Sequence, residues 1–178
     1  MTEGKHMFNR VINKKYYKML ALGFASTGLV SIAHAADEQF NAALQAANAG
    51  NIGLLQQYQA SMQNDVLGYY PEYWSLNANL SAQPSSNIVN FAQRYPQSAM
   101  AEKLAADYVE EKVKQADFAT AQPVLQYVTN ADQAESCAVA QVRAKSGDPL
   151  VFAEYKDVWL TTNSQPESCT GLGRMMLS

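Results

Sequence analysis

The sequence predicts an all-α fold, an α-superhelix or solenoid of about four helical hairpins that follows a cleaved signal peptide. Three observations predict it. The N-terminus is basic, then apolar, then closes on small residues; two interleaved sets of chain-breaking residues share one period; and apolar residues between the breaks have helical spacing.

Lys5, Arg10, Lys14, Lys15 and Lys18 precede the apolar run Met19 to Ile32, and Ala33-His34-Ala35 stands before Ala36. That order is the basic, hydrophobic and small-x-small plan of a secretory leader, with initiation at Met1 or Met7. The alternative is a membrane anchor. A spanning helix needs about 20 predominantly apolar residues, whereas this run has 14 and includes Gly23, Ser26, Thr27, Gly28 and Ser31. No cysteine lies in or just after it to accept a lipid. The expectation is therefore a signal peptide over residues 1–35 and a periplasmic product over 36–178, with no stable membrane anchor.

Five of the 13 basic residues and one of the 16 acids precede Ala36, which leaves 8 basic and 15 acidic side chains, net −7. Such a balance opposes nucleic acid, whose phosphates demand a basic surface. Both histidines, His6 and His34, lie in the leader. A product without imidazole has no Ser-His-Asp or Cys-His nucleophilic site of the usual kind and lacks the commonest transition-metal ligand. No cofactor and no metal is expected.

The breaks fall at Gly50-Asn51, Gln83-Pro84, Ala116-Asp117 and Gly147-Asp148, at intervals of 33, 33 and 31 residues. A second set at Asn64-Asp65, Tyr95-Pro96, Asn130-Ala131 and Asn163-Ser164 lies between them. Two sets with one period of about 33 residues describe a repeated helix-turn-helix unit of tetratricopeptide-like length. The alternative is an irregular helical bundle with accidental spacing.

Between the breaks, Phe40, Ala43, Leu44 and Ala47 recur at i, i+3, i+4 and i+7; so do Ile88, Phe91, Ala92 and Tyr95, and Ala101, Leu104, Ala105 and Tyr108, while Tyr69, Tyr73, Leu76 and Leu80 fall at i, i+4, i+7 and i+11. Ser98 is placed to cap a helix over Met100 to Lys114, and Asp148-Pro149 puts a capping side chain before a proline at a first helical position. Pro123 requires the helix after Asp117 to start late or to kink. A unit of this size cannot bury its apolar face alone, so hairpins stack and curve.

The two cysteines, Cys137 and Cys169, both lie in the exported part. In an oxidising compartment such a pair commonly forms one disulfide, two buried thiols being the alternative. The richest aromatic segment is Tyr69-Tyr70-Pro71-Glu72-Tyr73-Trp74. Core packing of its rings competes with contact between Tyr70, Tyr73 or Trp74 and a glycan or partner, and core packing is the stronger reading because Tyr69, Tyr73 and Leu76 share a helical face.

The stretch Val158-Trp159-Leu160-Thr161-Thr162-Asn163-Ser164-Gln165-Pro166-Glu167-Ser168-Cys169 resembles the W-L-T-x-x-S-Q-P-x-x-C segment in the superhelical domain of soluble lytic murein transglycosylases. Tyr70-Pro71-Glu72-Tyr73-Trp74, Asn90-Phe91, Cys137 and Gly147 with the acidic helix after it fall in the same order. The resemblance spans about Ala36 to Cys169. It implies a periplasmic enzyme family that cleaves the MurNAc-GlcNAc β-1,4 bond of peptidoglycan with a 1,6-anhydro-muramyl product, an N-terminal α-superhelix that shapes a ring, and a bridge between Cys137 and Cys169. Glycan strands or cell-wall proteins are the partners it implies.

That family's catalytic glutamate belongs to a C-terminal domain marked by a Glu-Ser pair and a later Gly-Leu-Met-Gln. Glu135-Ser136 and Glu167-Ser168 are each followed directly by cysteine, and Gly171-Leu172-Gly173-Arg174 is a different motif. No catalytic residue is carried over, and the domain is expected to be incomplete at its C-terminus. Glu102, Glu110, Glu111 and Glu154 read as solvated helix faces. A stand-alone periplasmic scaffold of tetratricopeptide type is the competing function.

Overall fold

The computed structural model describes residues 30–96, 98–160 and 166–177, and side chains over 37–96, 98–156 and 166–177. The basic region and most of the apolar run, the Asn163-Ser164 break and Thr161 to Gln165 of the family-like stretch lie outside the described residues. All regular structure among the described residues is helical. In order it comprises α1 Val30–Asn48, α2 Ile52–Ser61, α3 Tyr69–Asn77, a 3₁₀ turn Leu80–Ala82, α4 Ser85–Arg94, α5 Ala99–Lys114, α6 Phe118–Ala121, a 3₁₀ segment Gln122–Tyr127, α7 Gln133–Lys145, α8 Val151–Leu160 and α9 Glu167–Met176. The expected cleavage point before Ala36 falls inside α1.

Three breaks of the first set share one geometry. At Gly50 (φ 66°) the amide donates to the Ala47 carbonyl at 3.0 Å while Asn51 N–H reaches Ala46 at 2.9 Å. At Gly147 (φ 85°) the same pair runs to Ala144 and Arg143, at 3.0 and 3.1 Å. At Ala116 (φ 56°) it runs to Val113 and Lys112, at 2.9 Å each. This is the two-bond C-terminal cap that needs a left-handed residue. Glycine supplies that conformation without steric cost, and Ala116 holds it against its own Cβ. Asn51 then caps α2, its side chain accepting from Leu54 N–H at 3.0 Å.

The chain divides into two compact units, one ending at Pro71 and the other starting at Glu72. In the first, α1 packs on α2, with Ala43, Ala46 and Ala47 buried on α1 and Leu55 on α2. Spacing of three and four along α1 puts these alanines on one face, and their small side chains permit close helix approach.

In the second unit α4 buries Ile88, Phe91 and Ala92 and lies against α5 and the 3₁₀ segment Gln122–Tyr127. Complete burial of a ring such as Phe91 contributes roughly 1.5–3 kcal/mol. Because α5 touches α4, α6, the 3₁₀ segment and α7, it is buried well beyond a single stripe, from Ala101 through Leu104, Ala105, Tyr108 and Val109 to Lys112. α7 in turn lies between α5 and α9 and meets α8. The buried polar ends on α5 are satisfied locally: Lys112 Nζ donates to the Ser81 carbonyl at 2.7 Å and Tyr108 OH to the Gln83 carbonyl at 2.8 Å, which pins the Leu80–Ala82 turn. Burial pushes the Tyr108 phenol up to about 12.

Local chemistry sets the ends. Ser98 caps α5, accepting from Met100 N–H at 3.2 Å, and the helix begins one residue earlier than the sequence suggests. Pro123 has no N–H to return to the preceding turn, and the α-helix changes to 3₁₀ at Gln122. Asp132 and Glu135 form a reciprocal capping box at the start of α7. The Asp148-Pro149 start is corrected. Asp148 accepts from Leu150 N–H at 3.0 Å while its other oxygen is bound to Arg143, so residues 148–150 close a turn and α8 begins at Val151.

Candidate functional site

Among the aromatic candidates, Tyr73 is 1% and Trp74 7% exposed, which withdraws both rings from a ligand arriving from solvent. Tyr73 lies 6.5 Å from the Phe91 ring. Tyr70 is half-buried, edge-on to Phe40 at 5.3 Å and stacked on Tyr69 at 4.5 Å. Between these rings in the sequence, the buried Glu72 is ion-paired with Arg94. The hydrogen bond to Glu72 raises the guanidinium above its ordinary value. Removing Arg94 would strand the buried Glu72 carboxylate, whereas Arg94 is half exposed and keeps its water, so the pair reads as an anchor of α3 on α4.

Cys137 on α7 and Cys169 on α9 are disulfide-bonded, with Cα atoms 4.9 Å apart and both residues fully buried. Cys137, Ala140, Val151, Cys169 and Leu172 form one apolar cluster, against which Phe152, Tyr155 and Met176 pack. Gln141 lies one turn beyond Cys137 and donates to the Ser168 carbonyl at 2.6 Å; Ser168 Oγ donates to the Ala134 carbonyl at 2.8 Å. The bridge thus closes a seam that is also packed and hydrogen-bonded.

A cleft of about 400 Å³ opens where the first turn of α5 meets the end of the 3₁₀ segment Gln122–Tyr127. Ala92, Pro96, Ala99 and Ala101 are its apolar lining residues. Ser98, Glu102, Gln126, Tyr127 and Thr129 are its polar lining residues. Glu102 accepts from the Thr129 amide and hydroxyl and from the Asn130 amide and side chain. Those bonds, the one from the Thr129 hydroxyl foremost, hold its carboxyl below the usual range.

A general acid for glycosidic cleavage must keep its proton near neutrality. Glu102 is shifted the opposite way, so it is a wall and a loop anchor. Burial raises Asp107, which is bound to Lys103 at 2.8 Å, and Glu135, which is occupied in the capping box; neither lines the cleft. Glu110 pairs with Lys114, Glu154 with Arg143, and Glu111 accepts from Gln115. No group of three His, Cys, Asp or Glu among the described residues is arranged to hold a metal ion, and no described helix is long and apolar enough to cross a membrane.

Sequence reasoning named Ser98 and Glu102 without bringing them together, and missed Gln126, Tyr127 and Thr129. The usable signal was Pro123, which fixes where the helical pattern stops and Gln126 to Asn130 must turn. Compared with known proteins, the chain matches no family model, no curated protein and no solved structure.

Proposed function

We propose that this chain is the non-catalytic N-terminal superhelical portion of a periplasmic lytic transglycosylase, exported by residues 1–35 and serving to hold peptidoglycan strands or cell-wall partners. The observation that carries this reading is the pairing of the family-like Trp159 to Cys169 stretch with the bond from Cys169 to Cys137, the connection that the resemblance implies. The repeated left-handed caps at Gly50, Ala116 and Gly147, and the contacts of α5 with α7 and of α7 with α9, support a superhelical reading of the hairpins.

The test is co-sedimentation of the exported protein with purified sacculi, followed by chromatography of the supernatant for anhydro-muropeptides. The expected result is pelleting without product release. A stand-alone scaffold would stay in the supernatant with sacculi, and an enzyme would release anhydro-muropeptides.

A further inference from the structure

The cleft beside α5 has a ligand chemistry of its own. Its polar lining holds one ionisable carboxylate, Glu102, whose two oxygens already accept from Thr129 and Asn130. Gln126, Tyr127, Ser98 and Thr129 contribute neutral amide and hydroxyl groups, and no Lys or Arg lines it. An anion finds no countercharge there, and a cation finds only a carboxylate that is already occupied.

Several neutral groups retain hydrogen-bonding capacity. Tyr127 OH accepts from Gln93 Nε2 at 3.1 Å, which leaves its own proton to donate. Gln126 uses its Nε2 on the Pro123 carbonyl at 3.3 Å, which leaves Oε1 to accept. Ser98 Oγ accepts from Met100 N–H, which leaves its proton. Ala92, Pro96, Ala99 and Ala101 complete the lining. A ligand that fits presents hydroxyls on its edges and C–H groups on a face, which is the amphipathic character of a pyranose. A volume of about 400 Å³ lies within the roughly 300–1,000 Å³ of small-ligand clefts and suits one or two rings.

We infer that this cleft is a saccharide subsite, with Tyr127 and Ser98 donating to sugar hydroxyls and Gln126 Oε1 accepting from one. The choice of an N-acetylated sugar rests on the cell-wall reading; the affinity for a neutral sugar does not.

The test is titration of the full ¹⁵N-labelled chain with N,N′-diacetylchitobiose and separately with maltose, alongside the sacculus co-sedimentation. Saturable shifts confined to the amides of 98–102 and 126–130 are expected, with affinity falling about threefold to tenfold in Gln126→Ala and in Tyr127→Phe, the loss expected for one hydrogen bond. Maltose-induced shifts at the cleft without pelleting support the subsite and remove the cell-wall reading. Pelleting without cleft shifts, or with shifts unaffected by both variants, overturns the subsite and leaves the cell-wall reading standing. If an amide-rich peptide shifts the cleft and neither sugar does, the site belongs to a protein segment and the inference is wrong.

Discussion

Gln141 on α7 donates its side-chain amide to the Ser168 carbonyl on α9 at 2.6 Å, one residue before the bridged Cys169 and one helical turn beyond Cys137. The amide lies close over Gly171, where a Cβ would stand 2.8 Å from its Nε2. Gly171→Ala therefore displaces the amide and leaves the Ser168 carbonyl without its donor. A loss of about 1–3 kcal/mol is expected in urea unfolding. In a Gln141→Ala background the same substitution should cost much less, because the obstructing atom is gone; additive losses in the double-mutant cycle would refute the coupling.

The disulfide closes a sequence separation of 32 residues. In the loop-entropy account this stabilises by about 4 kcal/mol. Cys137→Ser with Cys169→Ser should lower the urea midpoint accordingly, and denatured oxidised protein should show no reactive thiol. Two titratable thiols in exported material would contradict the bond.

Ala116 holds φ at 56° in a cap where its two counterparts are glycines, and it is exposed. Ala116→Gly should stabilise by up to about 1 kcal/mol, since relief of the left-handed strain exceeds the added freedom of the unfolded chain. A lower thermal midpoint for the glycine variant would show that the strain is absent.

Glu102 links stability to pH with a definite sign. Its folded carboxyl lies below the ordinary glutamate value of 4.5 through bonds from Thr129 and Asn130. The contribution is thus fully present above that value and is lost as pH falls through the depressed folded one. Glu102→Gln should cost about 1 kcal/mol at neutral pH, a modest figure because the site is open to water. The difference from the parent should shrink on acidification below 4.5. A difference independent of pH would show that the charge contributes nothing.

The helical class and the interhelical breaks within the described residues were legible because glycine, proline and capping side chains act locally. Gly50, Gly147 and Ser98 announce their own geometry. The left-handed Ala116 was legible only as a break, since nothing in an alanine signals positive φ. The cleft was legible only in where Pro123 stops the helical pattern. It depends on Glu102 reaching Thr129 and Asn130 across 27 and 28 residues, and that approach is a product of packing. Burial of Glu72 was hidden for the same reason, its partner Arg94 standing 22 residues away on another helix.

Export is tested at Ala36, which lies within α1. Cleavage there leaves residues 36–48 to begin the helix that packs on α2. N-terminal sequencing of the exported protein should read Ala-Asp-Glu. An uncleaved Met19 to Ile32 segment in a membrane pellet would show an anchor instead.

The central claim, a wall-associated module without lytic chemistry of its own, is tested most directly by incubating the exported protein with purified sacculi and chromatographing the soluble fraction beside a full-length lytic transglycosylase. Protein in the sacculus pellet and no anhydro-muropeptides in solution are expected; anhydro-muropeptides in solution, or a protein that never leaves the supernatant, would contradict this reading.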